Sequence, residues 1–409
     1  MERILAGLDA PQRSAPVLLV GGTNGKGSVA RIWDSVLRAA GYRTGLYTSP
    51  HLVAFRERFL VEGAPLPDRV LEELAEELRP ALVRFGPTFF EASTILAFLA
   101  FARAEVDVMV VEVGLGGRLD ATNVVSPVLT AITNVSMEHS DLLGSTLAEI
   151  AREKAGIFKP GVPAYTSAEV PEVLQVLTEE AAAVGVPLSR IRPPEGEMGL
   201  GGIRCTLRTR RWGRLELAAP VAGRHQLSNL ALAVRSLEAL PPRLLPTARA
   251  VIEGVAQLRI PGRMQIEEDP PRRWILDVAH NPEGITALVE TLRGLPLQAP
   301  VVAVTGILSD KEWGPMLRGL AEGVDANLLV VPDGAPRARR WDPDRVVETL
   351  PELDLLAMGE TAEAFQRARE LTRRGGTIVV TGSSHTVGAA LRDLDRLPLE
   401  ALPPSDDFE

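Results

Sequence analysis

The sequence predicts an α/β protein of two domains: an N-terminal P-loop-type, mostly parallel sheet with flanking helices, and a smaller C-terminal Rossmann-like domain. Three observations predict it. Apolar runs rich in Val, Ile and Leu alternate with stretches of helical periodicity, as buried parallel strands alternate with crossover helices. The first run, PVLLV, feeds a glycine-rich loop that opens a helix. The chain has 409 residues, more than the roughly 250–300 at which a single core stops growing.

Taken in order, residues 16–47 read as strand (PVLLV), glycine loop, helix (SVARIWDSVLRAA, stopped by Gly41) and strand (RTGLYTS). This is a βαβ unit with its loop at the carboxyl end of the first strand. Helical patterns follow at about 68–84 and 92–104. DVMVVEVG and VLTAITN have the β-branched composition of buried strands, and STLAEIAREKAGIF predicts a helix ending at Lys159-Pro160. IRCTLRTRRWGRLELAAP predicts an antiparallel hairpin around Trp212-Gly213, and helices are expected near 226–240 and 246–257. Near residue 260 the chain breaks at Pro261-Gly262 and starts again. RWILDVAHNP, VVAVTGIL, ANLLVVP and GTIVVTGS then alternate with helical segments. The expected division is therefore 1–260 and 261–409, with a linker near 258–263 and a frayed Pro-rich tail after 397.

Composition excludes several classes. A formal charge of −9 argues against a nucleic-acid-binding face. The single cysteine, Cys205, excludes an internal disulfide and a Cys-rich zinc site. The N-terminus lacks the apolar core of a signal peptide, and ILAFLAFA is far short of the ~20 residues of a membrane span. The expectation is a cytoplasmic monomer that meets neither membrane nor nucleic acid. Of 44 basic residues only Lys26, Lys154, Lys159 and Lys311 are lysine. Where arginine has displaced lysine almost everywhere, a surviving lysine marks a place a guanidinium cannot serve.

Three stretches carry chemistry. VGGTNGKGSVA departs from the common phosphate loop, since Gly22 and Gly25 enclose only two residues and Gly27 separates Lys26 from Ser28. Small residues between strand and helix aim backbone N–H groups at one point, which suits phosphate, and Lys26 adds a point charge. The plain alternative is a tight turn with Lys26 in solvent. EVGLGGRLDATN places Glu112 at a strand end, where a carboxylate can hold magnesium or merely face water. In TNVSMEHSDLLGSTLAEIAREKAGIFKPG, His139 follows a strand end and Lys154 lies on a predicted helix. Lys154 beside Glu153 reads either as a surface ion pair or, by the lysine filter, as a functional amine.

Together these motifs resemble the folylpolyglutamate synthase/dihydrofolate synthase family, a branch of the Mur ligase superfamily. The resemblance runs in order through GTNGKGS (22–28), TSPHL (48–52), TFFEAST (88–94), EVGLGGRLDATN (112–123) and the TN…H…LG…EKAGI block (133–157). It continues through GRHQLSN (223–229), PGRMQ (261–265) and LDVAHNP (276–282). TSPHL and GLGGRLDATN separate this branch from the cell-wall ligases. The resemblance implies that Gly25, Lys26, Gly27 and Ser28 cradle the ATP phosphates, with Asn229, Arg263, Asp277 and His280 also at the nucleotide. It implies that Ser49, Glu112 and His139 hold two magnesium ions, and that Lys154 is carbamylated by carbon dioxide. Lys26, His139 and Lys154 would be catalytic. Thr88, Phe89, Phe90, Glu91, Leu119, Asp120 and Ala121 would line the pteroate or folate site. The activity implied is ATP-dependent addition of L-glutamate to reduced folates, and also to dihydropteroate, through an acyl phosphate. The alternatives are a cell-wall precursor ligase and a P-loop ATPase switch that ligates nothing. The sequence departs from the family pattern at Glu138, where Asp is usual, at ERF (57–59) and at GSSHTVGA (382–389).

Overall fold

The structure is a computed structural model that describes residues 1–396. The expected tail after 397 lies outside the described residues. Among the described residues seventeen strands form three sheets. The first contains β1 (Val17–Gly21), β2 (Thr44–Tyr47), β3 (Phe59–Val61), β4 (Ala64–Pro65), β5 (Val108–Glu112), β6 (Pro127–Ile132), β7 (Ala164–Thr166) and β8 (Leu188–Arg190). Their spatial order is β4-β3-β2-β5-β1-β6-β7-β8. Pairing is parallel from β2 through β8, and β3 and β4 close the edge antiparallel. The connection from β1 to β2 passes over β5, whereas β6 lies on the other side of β1. A crevice therefore opens at the carboxyl end of β1, where ligands of such sheets bind.

Both faces of this sheet are covered, which is why its strands read as unbroken apolar runs. Leu19, Tyr47 and Phe59 face one core with Phe98 and Phe101; Leu18, Leu46 and Leu60 face the other with Trp33. Trp33 sits on the helix Lys26–Ala39, and its Nε1 donates to Ala233 O and Ser236 Oγ at 3.1 Å each. Gly254 permits a close crossing behind the same helix: a Cβ there would lie 2.5 Å from Val36 Cα. The helix that carries the glycine loop is thus clamped from behind by the helices His225–Leu237 and Ala248–Ala256.

Helix boundaries follow the caps. The helix expected over 92–104 starts earlier, at Phe89, because Thr88 and Glu91 form a capping box. Thr146 and Glu149 do the same for Leu147–Ala155, and Gly156 at its end leaves room for Arg118. The predicted hairpin pairs β10 (Gly202–Arg208) with β11 (Arg214–Ala219). It gains a third strand, β9 (Gly196–Gly199), that its glycines conceal in the sequence. The helix Pro171–Ala183 and the short strands β3, β4, β7 and β8 are likewise unexpected.

The remaining sheet holds β12 (Gln265–Asp269), β13 (Arg272–Leu276), β14 (Val301–Thr305), β15 (Ala326–Leu329), β16 (Leu355–Ala357) and β17 (Gly376–Thr381). The order is β12-β13-β17-β14-β15-β16, parallel except for the β12 edge. Leu258 and Ile260 pack into the core beside Trp33, whereas Met264 packs into the core beneath this second large sheet. No helix among the described residues is long and apolar enough to cross a membrane.

Candidate active site

The glycine loop is built as the sequence suggests. Gly25 caps the helix Lys26–Ala39 with φ +87°, and a Cβ there would lie 2.4 Å from Asn229 Oδ1. Gly22 has φ +135° and lies against Thr133. Lys26 Nζ folds back over the loop, donating to Gly22 O (3.1 Å) and Thr23 O (2.9 Å). Gly27 faces Glu112, whose Oε2 would be 3.5 Å from a Cβ at that position. Helix N-terminus, backbone N–H groups and ammonium thus converge at the crevice beside β1, which is how a protein holds phosphate.

Beyond the loop lies a cleft of about 500 Å³, lined by Gly25, Ser28, His225, Gln226, Asn229, Arg263 and Asp277 among others. Its walls come from both halves of the chain. Asn229 Nδ2 donates to Gln226 Oε1 at 3.0 Å, while His225 Nδ1 and Gln226 Nε2 are buried without partners among the described residues. Orphaned buried polar atoms lining a cleft fit a ligand with its own donors and acceptors, such as a purine. No spacing or composition rule singles out His225 or Gln226 in the sequence, although both lie inside GRHQLSN. Asp277 is engaged by the backbone: Met264 N donates to its Oδ2 (2.8 Å) and Ala279 N to its Oδ1 (2.9 Å). It pins the linker turn, where Met264 has φ +48°.

Three of the four lysines gather here. Lys154 is buried and donates to Gly22 O at 2.8 Å, the carbonyl that Lys26 also uses. Burial, then the neighbouring Lys26 charge, lowers its pKa to about 7, against a smaller opposing pull from Glu138. Lys154 is therefore not the surface partner of Glu153. Lys311 reaches in from the second half, donating to Glu138 Oε1 at 3.1 Å. The lysine filter marks Lys311, but no motif in the sequence assigns it a role.

Glu138 joins the two halves. Its Oε1 also accepts from His280 Nε2 (3.1 Å), and His139 Nε2 is 3.6 Å away. Burial pushes this carboxyl up, but the hydrogen bond from His280 and the charges of His280, Lys311 and Lys26 outweigh it and hold it well below the usual range. His280 has both ring nitrogens occupied, the other by Val278 O at 3.0 Å, and it is not among the residues lining the cleft. Asn24 adds a second bridge, donating to Glu283 Oε2 (2.7 Å) and accepting from Asn281 Nδ2 (3.0 Å).

Of the expected metal ligands, Glu112 and Ser49 are neighbours through the Ser49 N–H, which donates to Glu112 Oε2 at 3.0 Å. Burial raises the Glu112 carboxyl, with Lys26, the Ser49 N–H, Arg263 and Arg31 pulling it back. Burial and then Lys311 lower His139, favouring the neutral ring that ligates metals. Among the described residues no three His, Cys, Asp or Glu side chains cluster tightly enough to hold an ion alone. A desolvated carboxylate beside a phosphate loop nonetheless fits magnesium, which takes few protein ligands and completes its shell with phosphate and water.

The expected folate residues divide. Thr88, Glu91 and Asp120 have capping duties: Thr88 N donates to Glu91 Oε2 (2.8 Å), and Asp120 accepts from Leu115 N (2.8 Å) and Thr122 N (2.9 Å). Phe90 packs beneath Gly114 and against Tyr47, while Ala121 opens a short 3₁₀ turn. Phe89 and Leu119 remain 64% and 90% exposed, apolar surface available to a flat aromatic ligand. Arg58 lies over the rings of Phe89 and Phe55 at 5.7 and 5.9 Å and donates to His51 Nδ1 at 2.9 Å.

A phosphate loop on one sheet, closed over by a second Rossmann-like sheet, defines a Mur-type ligase. Residues 20–237 match the Mur ligase middle domain and residues 262–384 the Mur ligase glutamate ligase domain. The chain is 34% identical over 407 residues to the folylpolyglutamate synthase of Lacticaseibacillus casei, covering 96% of this chain and 92% of that protein. It superposes on Mycobacterium tuberculosis folylpolyglutamate synthase complexed with ADP with a TM-score of 0.89, 32% identity and coverage of 97% and 94%. For E. coli FolC in complex with DHPP and ADP the TM-score is 0.82, with 32% identity and coverage of 97% and 93%. This chain belongs to the folylpolyglutamate synthase/dihydrofolate synthase family.

Proposed function

We infer that this protein is an ATP-dependent ligase that forms an amide between a folate carboxyl group and the α-amine of L-glutamate. The observation that carries the reading is the convergence of the glycine loop, Lys26, Lys154 and Glu138 with Lys311, His280 and Asn281 from the second half. In the reaction the acceptor carboxylate attacks the γ-phosphorus of ATP, the β–γ bridging bond breaks, and ADP leaves. The glutamate amine then attacks the acyl carbon, the acyl–oxygen bond breaks, and phosphate leaves as the amine loses its proton.

Each residue has a task in that sequence. The loop N–H groups and Lys26 fix the β- and γ-phosphates and neutralise charge on the transferring group. The 500 Å³ cleft takes the nucleoside, with Asn229, His225 and Gln226 as its polar contacts and Arg263 at its edge. Ser49, Glu112 and His139 hold magnesium, which when bound supplies charge to the phosphoryl oxygens. The neutral Lys154 amine attacks carbon dioxide, forms an N–C bond and releases one proton to solvent as it becomes a carbamate, a conversion closed to arginine. Phe89, Phe90, Leu119 and Ala121 stack the pterin rings, and the Glu138 and Asn24 bridges keep water from the acyl phosphate. We place the domain boundary at 260/261, and the protein as a cytoplasmic monomer serving folate biosynthesis.

The test is ADP release from MgATP and L-glutamate with dihydropteroate or tetrahydrofolate as acceptor. Glutamate-dependent release with both acceptors is expected. Release with tetrahydrofolate alone would remove the dihydrofolate synthase activity. Release that ignores glutamate would turn the reading to an ATPase switch.

A further inference from the structure

A second, larger cavity, about 860 Å³, lies along the linker beside the glycine-loop helix, on the other face of the first sheet from the aromatic cluster of Tyr47, Phe55, Phe59 and Phe89. One wall is a stripe of that helix. Gly27, Arg31, Asp34 and Arg38 are spaced by 4, 3 and 4 positions, so they share a face. The stripe runs about 16 Å at 1.5 Å per residue. Arg31, Asp34 and Arg38 line the cavity together with Arg259 and Arg396, while Gly27, one turn back along the stripe, lies against Glu112. Arg263 lines this cavity and the nucleotide cleft as well. The two cavities therefore share Arg263 as a common wall, and its charge, like that of Arg31, acts on the Glu112 carboxyl.

The charge of the linker cavity is unbalanced. Arg38 is paired with Asp34 at 2.9 Å and Arg396 with Glu267 at 3.3 Å. The guanidinium groups of Arg31, Arg259 and Arg263 have no hydrogen bond or salt bridge among the described residues, the carboxylates of Asp34, Glu112 and Glu57 acting on Arg31 only through their charge, in a chain whose net charge is −9. Unpaired guanidinium groups along a groove suit a row of carboxylates, which they bind bidentately. The aromatic cluster and this cavity lie on opposite faces of the same sheet edge. Phe59 points to the first and Leu60 to the second, as successive strand residues must.

We propose that the linker cavity binds the γ-linked polyglutamate tail of the acceptor, its arginines holding the free α-carboxylates of residues already added. This rests on the ligase reading above, because only a product that re-enters as acceptor carries such a row of carboxylates. Each glutamate joined through its γ-carboxyl leaves one α-carboxylate free. With the pterin on Phe89 and Leu119 and the reacting terminal carboxyl at Glu112 and the glycine loop, the residues between them bow into the cavity as the chain lengthens, each offering one further α-carboxylate to an arginine.

Two experiments decide it. Arg259→Gln, at the rim, is expected to raise KM for a tetraglutamyl tetrahydrofolate about tenfold, the loss of one charge-assisted hydrogen bond. KM for the monoglutamyl acceptor should stay unchanged. Equal change, or none, for the two acceptors overturns the proposal. Independently, calorimetric titration of the whole protein with γ-linked tetraglutamate lacking a pterin should show binding that Arg31→Gln weakens about tenfold, with ADP binding retained as a check of folding. Citrate binding as tightly as tetraglutamate would make the cavity a general anion pocket and overturn the proposal. If the wild type fails to ligate glutamate to a monoglutamyl folate, the ligase reading falls, while the tetraglutamate titration still decides what the cavity binds.

Discussion

Replacing Lys154 with methionine should make the protein more stable and inactive. The amine is buried against Gly22 O and beside Lys26, and its pKa falls from 10.5 to about 7. At about 1.4 kcal/mol per pH unit, protonating it in the folded state costs at most about 5 kcal/mol. Because the folded pKa is the lower one, the unfolded chain holds the extra proton between about pH 7 and 10.5. Stability therefore rises with pH across that window, and the cost is complete below about pH 7. The methionine variant escapes it but loses the hydrogen bond to Gly22 O, worth about 1 kcal/mol. Urea denaturation in carbon dioxide-free buffer should show the variant more stable by a few kcal/mol at about pH 6.5, with the gap closing towards about pH 9.5. A gap that does not change with pH would refute the argument. In bicarbonate buffer the wild type should gain the mass of one carboxylate, and the variant should not.

Other consequences follow from the same geometry. Gly25→Ala should lower stability by about 1–3 kcal/mol, the cost of a strained φ, and should weaken ADP binding through its clash with Asn229; unchanged ADP affinity by calorimetry would contradict the tight approach. A double-mutant cycle of Glu138→Gln and Lys311→Met should show a coupling of about 0.5–3 kcal/mol in kcat/KM for ATP, and additive effects would mean the bridge is not used in closure. Phe89→Ser should raise KM for tetrahydrofolate about threefold to tenfold by loss of stacking while leaving the melting temperature in place. Glu91→Ala, which breaks the capping box, should cost about 0.5–2 kcal/mol of stability, read by thermal melting; a change in folate KM with no loss of stability would return Glu91 to the substrate site.

The sequence by itself determined the order of strands and helices around the glycine loop and the second run of strands and helices that follows them. Those depend on local chemistry: β-branched runs, glycines at positive φ and a lysine with nowhere else to serve. It also carried enough motif order to indicate the family. It could not decide what Glu138, Lys311 and Glu283 do, because their partners lie more than a hundred residues away and no local rule links them. It could not separate Thr88, Glu91 and Asp120 as caps from Phe89 and Leu119 as exposed surface, since capping and exposure are settled by neighbours in space. Nor could it show that Arg31 and Arg38 line a cavity with Arg259 and Arg263. A helix stripe is visible in one dimension, but whether it faces water, a core or a basic groove is decided only when the linker folds back across it.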